Sequence, residues 1–342
     1  MCDAFFMFSI LPVSPRSARG PAKPMAAALA AVALALLPLP SPAARVECGA
    51  LAQAAPPSAE ALRTAMLEAH DHGYLWRIRK DGRSSYLYGT MHVGRLDWMF
   101  PGPRTRQALD ETDAVALEFD PMDQGLQERL AQAVAQMPHV AISAALQERI
   151  RREAEALCVP YASLARLPPE FQIVNLTAMA GRKDDLDAQY GIDIGLALVA
   201  RQAGKPVVSL ETPESQVQTL QLRDPAEAAA FIEKELDDLE PGRSEALLQR
   251  MVRAWVRSDY DEMAHYADWC QCLDTPVERE LMMRLLDGRN PALAHAIDEL
   301  HRSGRRVFAA TGSLHLFGPS GLPALLAQRG YRVERIDYGA YQ

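Results

Sequence analysis

A chain of 342 residues, 49% of them apolar, has the material for one large α/β domain or two smaller lobes. Its formal net charge of −8 excludes a general binder of nucleic acid or of anionic membranes, because both need basic patches. No long block of like charge and no internal repeat is present.

The first residues differ from the rest. Arg16, Arg19 and Lys23 precede an apolar run, Ala26 to Leu37, and then comes the Pro-rich "PLPSPAAR". A basic stretch, a short apolar stretch and small residues before a break predict a secretory signal over 1–43, cleaved near Ala43. Met25 is an alternative start. The apolar run is about 12 residues, shorter than the ~20 that a bilayer span requires. The expectation is a periplasmic or extracellular protein with no membrane span after cleavage. Cys48, Cys158, Cys270 and Cys272 then remain, and four cysteines allow three pairings. Cys270 and Cys272 lie one residue apart and are expected to bond elsewhere rather than to each other. Read with His265 as a soft metal site, "HYADWCQC" lacks a matching second CxC or HxxxH, so structural cysteines are the expectation.

Residues 44–71 read as a linker and a short helix. "YLWRIRK" and "RSSYLYG" alternate around Asp81-Gly82, a strong hairpin signal. Residues 104–112 look helical, and "DAVALEF", 113–119, reads as a buried strand. From about 122 to 204 the pattern is helical, broken at Pro138, Pro160 and Pro168-Pro169. "KPVVSLETP", 205–213, is a strand after the helix-ending Gly204. Residues 214–303 are again helical. "RRVFAATG" is a buried strand, "SGLPALLAQRG" a helix with Ser320 as N-cap and Gly330 as C-cap, and "YRVERI" a last strand. Strands at the start, middle and end separated by long helical stretches predict an α/β fold over 72–342. Its central sheet is mixed and largely parallel, with helical insertions at about 122–204 and 214–303 forming a cap.

The residues that follow the buried strands carry the chemistry. His92 comes three residues after Gly89, and His315 three after Gly312. Glu118 and Asp120 end "AVALEF", and Glu211 ends "VVSLE". In open α/β sheets ligands bind at the carboxyl ends of the strands, so parallel neighbours would bring these groups together. The glycine is expected to permit a tight turn that presents the imidazole at the sheet rim. One GxxH is expected about half a time by chance at this composition; two, each after a strand-like run, carry more weight. Two imidazoles with carboxylates suit a divalent ion such as Zn, Mn or Co, which would lower the pKa of a bound water. Without metal, a histidine oriented by a glutamate could take a proton from water directly. Trp98, Met99 and Phe100 form an apolar group after the first GxxH that could line a pocket or simply pack. His70, His72, His139, His265, His295 and His301 are expected at the surface or core edge.

With "YLYGTMHVG", "VALEFD", "YGIDIGLALVARQAGKPVVSLETPESQ", "LLDGRNPALAHAI" and "VFAATGSLHLFGPSGLPALLAQRGYRVERI", the chain resembles the TraB/GumN family, which includes the animal TIKI proteases that inactivate Wnt. The resemblance covers about 72–336. It implies a divalent-metal-dependent peptidase, with His92, His315 and Glu118 holding a Mn, Co or Zn ion. Glu211 would be ligand or base, and Arg289 would orient a peptide or small-molecule substrate or stabilise an oxyanion. Many relatives carry an aromatic residue or histidine where this chain has Gly195, so one possible ligand is missing. Two other functions remain open: a metal-independent hydrolase similar to the erythromycin esterases, and a non-catalytic metal- or haem-binding protein.

Overall fold

The computed structural model describes Cys48 and residues 56–339. The signal expected over 1–43 and most of the linker lie outside them.

Strands β1 (Tyr74–Lys80) and β2 (Arg83–Thr90) form the hairpin. Asp81 and Gly82 both take positive φ, 52° and 72°. That pair of left-handed residues matches the twist of the two strands, and Asp-Gly supplies it at low cost. β3 (Ala114–Leu117), β4 (Val207–Ser209), β5 (Val307–Gly312) and β6 (Arg332–Ile336) complete one six-stranded sheet in the order β4-β3-β5-β2-β1-β6. The first four in that order are mutually parallel, while β1 pairs antiparallel with β2 and with β6. The fold is therefore α/β with a mixed, mostly parallel sheet. β3 and β5 are buried along their whole length, as parallel strands covered on both faces must be. β4 spans only three residues, because it is an edge strand that pairs with the four residues of β3 alone.

The helical stretches break where the prolines stand: Gln124–Ala135, Ala144–Ala156, Tyr161–Leu164 and Pro169–Ala180. The last of these is buried on nearly every side and packs against Ala144–Ala156, Pro225–Leu239 and Arg243–Val256. These helices are tied to the sheet by Trp255, whose indole N–H donates to the Gly89 carbonyl at 2.8 Å. A Cβ on Gly89 would meet Ser313 and Leu316 at 3.0 Å, so this glycine serves close packing. It does not supply a left-handed turn, since neither Gly89 nor Gly312 has positive φ. Among the described residues no helix is long and apolar enough to cross a membrane.

Several local expectations need correction. Helix Leu322–Gln328 starts at Gly321, with no side-chain cap from Ser320. His72 is buried between Trp98 and Trp255, its Nδ1 3.1 Å from the Val256 carbonyl oxygen. His301 is wholly buried and bridges Ser85 and the Lys80 carbonyl at 2.8 and 3.0 Å, stapling helix Asn290–Arg302 to the hairpin. Cys270 and Cys272 are bonded to each other, and Cys48 to Cys158. The short span closes because Gln271 adopts φ 52°, a conformation that sequence spacing does not reveal.

Glu170 lies in the first turn of the buried helix Pro169–Ala180 and is 1% exposed. Its oxygens make no hydrogen bond of normal geometry among the described residues. The nearby Leu222 backbone offsets only part of the burial cost, which pushes the carboxyl up to about 7. A raised carboxylate pKa means that the unfolded chain releases the proton first. The stability this group contributes is complete below its ordinary value of 4.5 and is lost as pH rises to about 7. Glutamine mimics the protonated form. Glu170→Gln should therefore match the parent at pH 4 and exceed it by about 2–3 kcal/mol at pH 8, read from urea unfolding at both pH values. Equal stability at pH 8 would contradict the burial of a neutral carboxyl.

Candidate active site

The parallel register brings the strand ends level. Ser209, Leu117, Ala310 and Tyr88 form one row across β4, β3, β5 and β2. His92, Glu118, Asp120, Glu211 and His315 follow within a few residues of that row, whereas Arg289 comes from the start of helix Asn290–Arg302. The pairing of β3 with β4 continues past the strands, since the Glu211 N–H donates to the Glu118 carbonyl at 3.0 Å. The two acids are thus set side by side by backbone hydrogen bonds.

Glu118 is 4% exposed and its oxygens have separate partners. Oε1 accepts the Gly312 N–H at 2.6 Å, and Oε2 pairs with Arg289 Nη2. Arg289, itself 6% exposed, also holds Glu211 through Nε at 3.0 Å and Nη2 at 2.5 Å, and its Nη1 donates to the Leu285 carbonyl at 3.3 Å. One guanidinium therefore bridges two carboxylates. Burial by itself would raise the Glu118 carboxyl. The Arg289 guanidinium, the two imidazoles and the Gly312 N–H outweigh it and hold Glu118 well below the usual carboxylate range.

His315 is presented by a single 3-10 turn, Ser313–Leu316, which directly follows β5. Its Nδ1 is 2.6 Å from Asn290 Oδ1, and Asn290 Nδ2 donates to the Ser320 carbonyl at 2.8 Å. That second bond orients the amide, so its oxygen faces the ring and Nδ1 carries the proton. The lone pair is then on Nε2, 3.8 Å from Glu118 Oε1. Burial pushes the imidazole down to about 4, against the pull of Glu118 and with the help of Arg289. The ring is neutral at pH 7.

His92 follows β2 and pairs through Nδ1 with Asp193 Oδ2. The other oxygen of Asp193 accepts the Thr90 hydroxyl at 3.0 Å, and the Thr90 carbonyl accepts the Ser313 hydroxyl at 2.8 Å. Each imidazole thus has an oxygen acceptor on Nδ1. Both are fixed in tautomer and orientation, as a general base or a metal ligand must be.

The structure brings together His92, Glu118, Glu211, Arg289 and His315. Asp120 falls outside the group: its backbone N–H donates to the Ser209 hydroxyl, and its carboxylate pairs with Arg201 at 2.6 Å. Trp98 and Met99 are buried against the fold. Asp193 and Asn290 lie in the blocks that carry the family resemblance, Asn290 beside Arg289, but the sequence gives neither a role. Asp193 sits in the first turn of helix Ile192–Gln202, 101 residues from the His92 it orients.

By donor type the two imidazoles and the ionised Glu118 suit a divalent ion. Among the described residues, however, no three His, Cys, Asp or Glu side chains are grouped so that they could hold one, and both Glu118 oxygens are engaged by Gly312 and Arg289.

Gly195 explains itself here. Helix Ile192–Gln202 lies so close to the turn Leu96–Met99 that a Cβ at Gly195 would overlap the Met99 carbonyl oxygen. Neither an aromatic residue nor a histidine has room there. Gly195→Ala should cost about 1–3 kcal/mol in urea unfolding, because backbone has to move. An unchanged midpoint would show that the approach is not tight.

A sequence model of the TraB/PrgY/gumN family matches residues 74–335. The chain is 29% identical to YbaP of Escherichia coli (strain K12) over 259 residues, 71% of this chain and 88% of YbaP. Its likeness to YbaP of Shigella flexneri has the same identity and extent, and both relatives are called uncharacterized proteins. No solved structure matches the chain.

Proposed function

The chain belongs to the TraB/PrgY/gumN family, and from that premise and the strand-end geometry we propose that it is a hydrolase acting on a peptide or small-molecule substrate. One observation carries the reading. Two imidazoles, each oriented through Nδ1, stand at the ends of the adjacent parallel strands β2 and β5, with an ionised buried carboxylate beside them. Such rings are poised to accept a proton from water at Nε2. When bound, a Mn, Co or Zn ion would be held by His92, His315 and Glu118 and would supply a water of lowered pKa and a Lewis acid.

The remaining residues act on one another. Asp193, fixed by Thr90, orients His92. Asn290, fixed by the Ser320 carbonyl, orients His315. Arg289 binds Glu118, Glu211 and the Leu285 carbonyl, so it is a positioning residue that aligns both acids and holds Glu118 ionised. Export is part of the same proposal and rests on the leader sequence.

A metal-free hydrolase is the second reading. It is favoured by the hydrogen bond between His315 Nδ1 and Asn290, which orients the ring and puts its lone pair on Nε2 with no ion required. The test is elemental analysis of the purified protein together with peptide and ester libraries, with and without EDTA. Turnover that EDTA abolishes and Mn, Co or Zn restores is the expected result. Turnover that survives EDTA moves the assignment to the second reading. A parent protein that cleaves nothing in either library would sink both.

A further inference from the structure

The Cys270–Cys272 bridge lies in the helical region, beside a cleft of about 300 Å³. Besides the two cysteines, Glu235, Arg243, Arg250 and Trp269 line it. None of these residues belongs to the strand-end site. We propose that Cys270 and Cys272 form a thiol–disulfide exchange site that accepts electrons from small thiols or dithiols entering this cleft.

The stabilisation a disulfide gives grows with the loop it closes. Cys48–Cys158 spans 110 positions and is placed to staple the chain, whereas Cys270–Cys272 spans two. Closing the short one also holds Gln271 at φ 52°, a region that a non-glycine residue occupies at a cost. Reduction releases that constraint and gives up little loop entropy, so the short bridge is the more easily opened of the two.

The Cys272 N–H donates to Cys270 Sγ at 3.2 Å, and the Tyr266 hydroxyl approaches Cys272 Sγ at 3.4 Å as its donor. Each sulfur thus has a polar hydrogen placed to stabilise it as a thiolate. Lys234 Nζ is 3.5 Å from the Gln271 carbonyl but pairs with Asp238 and Glu278, and Arg243 and Arg250 in the cleft wall pair with Asp238 and Glu262. The two polar hydrogens at the sulfurs are therefore what favour a thiolate and ease its departure. Glu235, buried in the same wall, is pushed up to about 8 by burial, so at neutral pH it holds a proton.

A thiolate RS⁻ attacks one sulfur of the bridge. The S–S bond breaks, a mixed disulfide R–S–S–Cys forms, and the electron pair leaves on the other cysteine, which takes a proton from Glu235. A second thiolate attacks the sulfur of R. RSSR departs, the second cysteine leaves as a thiolate, and solvent returns the protons. Two thiols are oxidised to one disulfide and the protein bridge is reduced to two thiols.

The test uses the folded full chain. Dithiothreitol is titrated under native conditions, free thiols are trapped with a maleimide and located by mass spectrometry, and circular dichroism follows the fold. Cys270–Cys272 should open at a dithiothreitol concentration at least tenfold below that for Cys48–Cys158, with the fold intact. If both bridges open together, or the short one opens only on unfolding, the proposal is overturned. Glu235→Gln should slow opening at least threefold at pH 7 while the bridge still forms. An unchanged rate would remove Glu235 as the proton donor.

Discussion

Arg289→Met should lower the free energy of unfolding by about 3–5 kcal/mol, the range for removing one partner of a buried ion pair. The side chain is 6% exposed and stands between Glu118 and Glu211, whose backbones are hydrogen-bonded to each other. Methionine has comparable volume but no charge, so packing is largely kept. What is lost is the guanidinium that both carboxylates share. Two buried acids then face each other, and one has to take a proton. That protonation makes the defect smaller in acid, so the gap between variant and parent should narrow between pH 7 and pH 5. Urea denaturation at those two pH values reads both effects. A loss below about 1 kcal/mol would mean that the bridge contributes no more than an exposed pair does.

His315→Ala should lower kcat/KM by a factor of about 10²–10⁴ on any substrate the chain hydrolyses, the range for a general base. The ring is 1% exposed, and its removal leaves a cavity, so the variant will also be less stable. Asn290→Leu separates the two effects. It leaves His315 in place but removes the acceptor that fixes its tautomer, so it should reduce kcat with little change in KM. His92→Ala should match His315→Ala if both rings act on one water, and the double variant should then be no worse than either single one. Full activity in His315→Ala would dismiss the ring from the chemistry.

Much of the framework was legible because it is written locally. Asp81-Gly82 between alternating runs specifies its hairpin through the positive φ the turn needs. Prolines at 138, 160, 168 and 169 mark helix breaks for the reason that proline has no N–H to donate. The gap was in extent. "KPVVSLETP" has the composition of a nine-residue strand, and only Val207–Ser209 forms one, with backbone bonds trailing on to Glu211, because the partner β3 is short and no described strand pairs with the other edge. His72 and His301 are buried where a surface or core-edge place is expected, because one imidazole carries no periodicity. What buries them, Trp98 and Trp255 around one and Tyr331 and Ser85 around the other, comes from distant segments.

By itself the sequence determined the α/β class, the order of strands along the chain, and the chemical type of the groups near their ends. Each depends on neighbours within a few residues. The tertiary structure alone decided that one arginine joins two acids 171 and 78 positions away, that Asp193 and Asn290 orient the imidazoles, and that Cys270 closes on Cys272. The order of strands in the sheet sets the first two, and one left-handed residue sets the third. Neither leaves a periodic trace along the chain.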